Sequence, residues 1–221
     1  MRRRLLALLF PLLVAGCSGI PFREPAPLRM EAVDPASVIV RFRSALPERF
    51  RATSSVVVEV AGRSVSALGI TEVDRVAGTF TAVALNPMGL KLFELTGAPD
   101  GTISGSVLEA ISQRGNAASA IGDDIRRIYF DLVPSPAARS WKRARALVFR
   151  QQSGGGELEY VFAGEGPDLV EKNFYGDDGI VWQAAYYEYG DWNGKRMPHG
   201  IIYRSYRHGY RLIIKMKEIL A

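Results

Sequence analysis

GIIYRSYRHGYRLIIKMKEI, residues 200–219, decides the fold class. His208-Gly209 divides the stretch into two runs, and glycine there supplies the positive φ that a tight turn needs. In the second run Tyr210, Leu212, Ile214 and Met216 share one face, while Arg211, Lys215 and Lys217 share the other. Alternation with period two describes a strand buried on one side and wet on the other, the mark of an antiparallel sheet. Leu158–Ala163, Leu169–Tyr175, Gly179–Tyr189, Gly200–Tyr206 and Tyr210–Lys217 therefore read as consecutive strands. Asp178-Gly179, Asn193-Gly194 and His208-Gly209 supply turns between them.

Working back toward the start, 140–151 is expected to be one strand after a loop, and Ser153–Gly156 a flexible loop. Ile121, Ile125, Ile128 and Leu132 fall on one face of a helix over about Ala120–Leu132, stopped by Pro134 and Pro136. Asp123 and Asp124 are placed near the start of that helix. Strands are expected at Ser55–Val60, Arg63–Thr71, Thr79–Leu85, Leu90–Thr96 and Thr102–Leu108, and a short helix at Ala36–Ala45. The whole is mainly β with helices, an α+β chain. A long meander of hairpins favours a curved antiparallel sheet closed by helices over a sandwich of short strands.

The N terminus carries a different message. Arg2-Arg3-Arg4, the apolar run Leu5–Val14 and the small residues Ala15-Gly16 read as a secretory signal peptide. The run falls short of the roughly 20 apolar residues that span a bilayer. Val14-Ala15-Gly16-Cys17 resembles the lipobox of bacterial lipoproteins. That resemblance implies cleavage before Cys17 and lipidation of its thiol, with Ser18 implying the outer membrane. Residues 1–16 are then signal, 17–35 a lipidated flexible tether rich in proline, and 36–221 the domain. Removing Arg2, Arg3 and Arg4 lowers the net charge from +5 to +2, so basicity is no argument for nucleic acid. Cys17 is the sole cysteine, which excludes disulfides and cysteine-based metal sites.

Catalytic motifs do not emerge. His199 and His208 lie outside any metal-binding spacing and read as a strand end and a turn residue. Neither a G-x-S-x-G elbow nor a phosphate-binding glycine loop is present. Asp123-Asp124 and Asp177-Asp178 are adjacent in sequence and do not face a common point. No enzyme, cofactor or metal is expected. Trp182, Tyr186, Tyr187, Tyr189, Trp192, Tyr203, Tyr206 and Tyr210 crowd the last hairpins. They fit cross-strand packing, or the lining of an apolar cavity for acyl chains.

Two segments carry a family resemblance. TAVALNPMGLKLFEL, residues 81–95, is similar to the Asn-Pro-Leu-Gly hairpin of LolB-type lipoprotein receptors. Met197-Pro198 and the closing hairpin resemble the end of LolA/LolB-like proteins. The region before Thr79 matches poorly. The resemblance implies a half-open barrel with a helical lid, whose apolar interior holds acyl chains of a lipoprotein passed on by a soluble periplasmic LolA-type carrier. Phe80, Val83, Leu85, Leu92, Ile125, Trp182, Tyr186, Ile202, Leu212 and Ile214 are the candidate cavity residues. Asn86, Pro87, Met88, Gly89 and Leu90 correspond to the receptor's membrane-inserting loop, with Met88 at its apolar tip and Lys91 at the headgroups. The resulting expectation is a periplasm-facing, outer-membrane-anchored protein that binds lipidated cargo. A non-enzymatic accessory or scaffold lipoprotein is the alternative, because one fold serves many tasks.

Overall fold

The computed structural model describes residues 20–26, 33–112 and 116–221; Cys17 and the proposed signal peptide lie outside them. The described residues begin, after an N-terminal segment, with helix α1 (Pro35–Ala45). Five strands follow: β1 (Arg49–Val60), β2 (Arg63–Asp74), β3 (Thr79–Leu85), β4 (Lys91–Gly97) and β5 (Ile103–Val107). Helices α2 (Glu109–Ser112) and α3 (Ala117–Tyr129) lead to β6 (Arg139–Arg143), β7 (Ala146–Ser153), β8 (Gly156–Ala163) and β9 (Asp168–Gly176). The chain closes with β10 (Gly179–Trp192), β11 (Lys195–Ser205) and β12 (Tyr210–Leu220).

All strands belong to one antiparallel sheet in the order β5-β4-β3-β2-β1-β12-β11-β10-β9-β8-β7-β6. Each half is a meander of hairpins, and β12 returns to pair with β1, from Val60↔Tyr210 to Arg51↔Leu220. The sheet curves and does not close, leaving β5 and β6 as its edges. One face, the inner face, carries α1 and α3. Asp34 caps α1, its carboxylate accepting from the Ser37 N–H at 2.8 Å, and Pro35 occupies the first turn, where it costs no hydrogen bond. Val38 and Phe42 are the buried side of α1, and the Phe42 ring meets Phe162 edge-on at 5.2 Å. In α3, Ile125, Ile128 and Tyr129 are buried, and Tyr129 packs on Phe50. Gly122 lets α3 approach β5 closely, since a Cβ there would sit 2.5 Å from Ile103 Cδ1.

The structure corrects several expectations. The stretch 140–151 is two strands, β6 and β7, joined by a two-residue turn at Ala144-Arg145 that contains no glycine, proline or asparagine. Ser153–Gly156 is the turn of the β7–β8 hairpin, with Gly154 and Gly155 at φ +54° and +81°. Helix α3 is shifted about a turn toward the N terminus, because Asn116 caps it and Asp131 adopts a positive φ soon after its end. Asp123 and Asp124 therefore sit mid-helix, and Asp124 points inward at 5 % exposure. Strand β11 begins at Lys195 rather than Gly200 and runs through Pro198. Residues 195–199 pair only with β10, because β12 joins at Gly200, so the missing proline N–H faces no partner strand.

Candidate functional site

The inner face and its helical cover form the candidate site. Of the expected cavity residues, Phe80, Ile125, Trp182, Tyr186 and Ile214 are buried there, and Leu212 packs against them. Ile202 belongs to a separate cluster on the outer face. Strand β3 buries Phe80, Ala82 and Ala84 on the inner side, which turns Val83 and Leu85 outward by the period-two rule. Leu92 likewise alternates with Phe93 and Leu95, the core residues of β4. Those four residues therefore do not join the others. The space inside is occupied by the protein's own side chains, with Tyr160, Tyr186, Tyr203, Phe162, Leu147 and Leu169 all below 2 % exposure. A groove of about 700 Å³ lies on the other side of the sheet, where Arg49, Arg51, Glu72, Asp74, Thr79 and Thr81 occupy the strand positions that alternate with the buried Phe50, Val73 and Phe80.

The end of α3 is fastened from the sheet by polar groups, of which the sequence reading singled out only Tyr186, and that as a cavity residue. Arg75, just past β2, donates to Tyr129 O at 2.9 Å and to Pro47 O at 2.6 Å, tying the exit of α3 to the chain just beyond α1. Its guanidinium lies 5.2 Å from the Phe50 ring, and desolvation pulls its pKa down to about 10. Lys172, from β9, is 2 % exposed and donates to Phe130 O at 2.7 Å and Arg127 O at 3.2 Å. Burial pushes this ammonium down to about 8, with Asp131 opposing and Arg75 and Arg127 assisting the shift. Tyr186 Oη donates to Ile128 O at 2.8 Å, and burial raises that phenol. These donors meet carbonyls of the last helical turn, which have no intrahelical partner and carry the negative end of the helix dipole.

A second polar group underlies the middle of α3. Asp124 accepts from Tyr210 Oη and from Arg127 Nη1 at 3.0 Å, and Arg127 Nη1 also reaches Tyr203 Oη at 3.2 Å. Burial raises the Asp124 carboxyl despite these partners. Helix α3 is therefore held at its end and centre by hydrogen bonds, with apolar side chains between.

The β3–β4 turn lies apart from this interior. Asn86 Oδ1 accepts from the Met88 and Leu90 N–H groups at 3.0 and 2.9 Å, and Gly89 takes φ +82°. Asn86 thus holds the turn shut while Met88 and Leu90 stand out at 88 % and 52 % exposure. Met88 does not pack back onto the domain. Lys91 pairs with Glu94 at its base. His199 is not a strand end; it lies within β11, its ring tilted against Trp192 with centroids 4.6 Å apart. Among the described residues no group of three or more His, Cys, Asp or Glu side chains converges on a point that suits a metal ion.

No protein-family model matches the chain, and no curated protein matches it. Solved structures do. A LolA superfamily protein from Nitrosomonas europaea superposes with a TM-score of 0.53 at 11% identity, covering 85% of this chain and 93% of that one. A domain described as an outer membrane lipoprotein-sorting protein, from Vibrio parahaemolyticus, gives 0.52 at 9% identity, covering 83% and 90%. A DUF1329 family protein from Desulfovibrio piger gives 0.50 at 9% identity over the same shares. At identities this low the likeness shows the fold alone: the chain, with its curved, unclosed antiparallel sheet and a few helices, has the fold of LolA-like proteins.

Proposed function

We propose that this protein is a lipid-anchored envelope protein that binds acyl chains of lipidated cargo and delivers them to the outer membrane. Cys17, outside the described residues, is the lipidated residue and the membrane attachment. Residues 1–16 are the signal that is removed, residues 17–35 link lipid to domain, and the domain faces the periplasm. The half-open barrel accepts cargo from a LolA-type periplasmic carrier, and the exposed Met88 turn enters the bilayer at delivery. Transfer of this kind moves cargo down a gradient of affinity and needs no chemical step and no cofactor.

The observation that carries this reading is the apolar inner face covered by helices that are fastened through a few backbone carbonyls. A lid of that kind has two states, and a guest chain replaces protein–protein apolar contacts with its own. The residues for binding are then Phe80, Ile125, Trp182, Tyr186, Leu212 and Ile214, and those for delivery are Asn86, Pro87, Met88, Gly89 and Leu90. The filled interior favours one other reading, a non-enzymatic accessory or scaffold lipoprotein whose lid stays shut. A fluorescent fatty-acyl probe separates them. The Cys17→Ala protein binds it saturably if the lid opens, whereas a scaffold gives no saturable signal.

A further inference from the structure

A second, smaller apolar cluster sits on the outer face, opposite the helices. It is made by Ala185 and Tyr187 of β10, Ile202 of β11, Ile213 of β12 and one residue from far away in the chain, Phe22. The Phe22 ring is 8 % exposed and stacks on Tyr187, with centroids 5.4 Å apart and planes 24° apart. Gly200 forms the floor of its seat: a Cβ there would lie 2.4 Å from the ring. Next to the ring, the Arg23 N–H donates to a Glu188 carboxylate oxygen at 3.0 Å. Glu188 holds φ +54°, a costly conformation for a side-chain-bearing residue inside a strand. A glycine that clears space for one ring, an aromatic partner for that ring and a strained acceptor beside it make a fitted seat.

We propose that Phe22 is a clip that fastens the N-terminal segment to the outer face of β10–β12 and so sets the length of the leash between membrane lipid and domain. The leash part rests on Cys17 being the lipidated residue. Cys17 and Phe22 are five residues apart, which extended chain spans in about 18 Å at most. Asp34, the cap of α1, is seventeen residues from Cys17, and a chain held only from there reaches about 60 Å. The seat also stands in register with the Met88 turn. Gly200 pairs with Lys215, Lys215 with Ser55, Ser55 with Leu68 and Leu68 with Leu85, at the base of that turn. Four strand spacings make about 19 Å. The short leash therefore keeps the bilayer that holds the lipid within reach of Met88, and the partner of this face of the molecule is that lipid surface.

Two measurements on the full chain in detergent and in vesicles test this. Hydrogen exchange at the Arg23 amide reads the clip directly. Gly200→Val, which fills the seat, and Phe22→Ala, which empties it, each lower Arg23 protection by about tenfold or more. Unchanged protection in a Gly200→Val protein overturns the clip. Combining the two substitutions keeps folding separate, because valine in the emptied seat leaves Tm where Phe22→Ala alone puts it. For the leash, a dye on Ala144→Cys is read by energy transfer to acceptor lipids in phosphatidylethanolamine–phosphatidylglycerol vesicles. Gly200→Val lengthens and broadens that distance; an identical distance overturns the leash. Vesicle binding that survives Cys17→Ser removes the anchor reading and the leash with it, while the clip is judged by exchange alone.

Discussion

Replacing Arg75 by leucine should turn a closed lid into one that opens readily. The guanidinium makes two hydrogen bonds to carbonyls, at 2.9 and 2.6 Å, on either side of the gap between α3 and the end of α1. Hydrogen bonds from a charged donor contribute about 1.5–3 kcal/mol each, so the pair contributes about 3–6 kcal/mol. Against this stands the desolvation that lowers its pKa from 12.5 to about 10. Such a shift corresponds to a penalty of about 3 kcal/mol on the charged form. The difference, about 1.5 kcal/mol at the middle of that range, is what opening gives up in the native protein and does not give up in Arg75→Leu. A lid biased toward the open state by that amount raises apparent affinity for an acyl guest roughly tenfold, up to the limit where the open form dominates. Titration with a fluorescent acyl probe measures the effect, with near-UV circular dichroism confirming the fold. A folded Arg75→Leu protein with native probe affinity would refute the latch.

Other consequences can be measured separately. Met88→Glu should leave probe binding intact and slow delivery from protein to vesicles at least tenfold, since burying an apolar side chain the size of methionine is worth about 1.5–3 kcal/mol and a carboxylate is repelled; unaltered delivery kinetics would free the turn of any role at the membrane. Lys172 has a folded pKa of about 8 against 10.5 for an ordinary lysine, so the folded state holds fewer protons between those values and stability rises as pH increases through that window. Urea unfolding at pH 7.5 and 9.5 should show that rise, and Lys172→Met should abolish it; a fall in the native protein would contradict the sign. Gly97→Ala should lower Tm by about 2–12 °C, because its Cβ would lie 2.1 Å from Cε1 of the buried Phe80 ring and overpacking costs about 1–3 kcal/mol. Calorimetry showing an unchanged Tm would mean the Phe80 ring has room to retreat.

Sequence patterns located most strands because hairpins announce themselves locally. Thr79–Leu85 is bounded by Ala77-Gly78 and Asn86-Pro87, and the structure has the strand at those limits. The helix around Ile125 was legible from its spacing, though its ends were not; Asn116 as a cap and Asp131 as a left-handed stop are weak signals beside the more obvious Pro134. The β6–β7 turn was invisible because Ala144-Arg145 has no turn chemistry. Facing was harder than placement. Strand β3 has small residues, Ala82 and Ala84, on its buried side and larger ones, Val83 and Leu85, on the other, so choosing by size selected the wrong face. The same happened at Ile202, whose neighbours Ile201 and Tyr203 are equally apolar. Outer-face apolar residues had a partner, Phe22, that no local pattern could supply.

The polar fastening of the lid was missed for a related reason. Arg75 follows Asp74 at a strand end and reads as a solvated turn, while Lys172 stands in Leu169–Tyr175 as one more alternating charge. Only the return of α3 across the sheet gives these cations carbonyls to meet. Resemblance at residues 81–95 and 197–219 was a stronger guide to fold than any one of these elements. It drew on the order of motifs along the chain, and the structural neighbours share the fold at 9–11% identity.

The central claim is that a hydrocarbon chain replaces protein side chains beneath the helices. A photoactivatable fatty acid, irradiated with the Cys17→Ala protein and mapped by mass spectrometry, addresses it directly. Label on peptides bearing Phe80, Ile125, Trp182, Leu212 or Ile214, competed away by unlabelled fatty acid and increased in Arg75→Leu, is the result this account predicts. Label confined to the outer face around Tyr187 and Ile202, or to the Met88 turn, would contradict it.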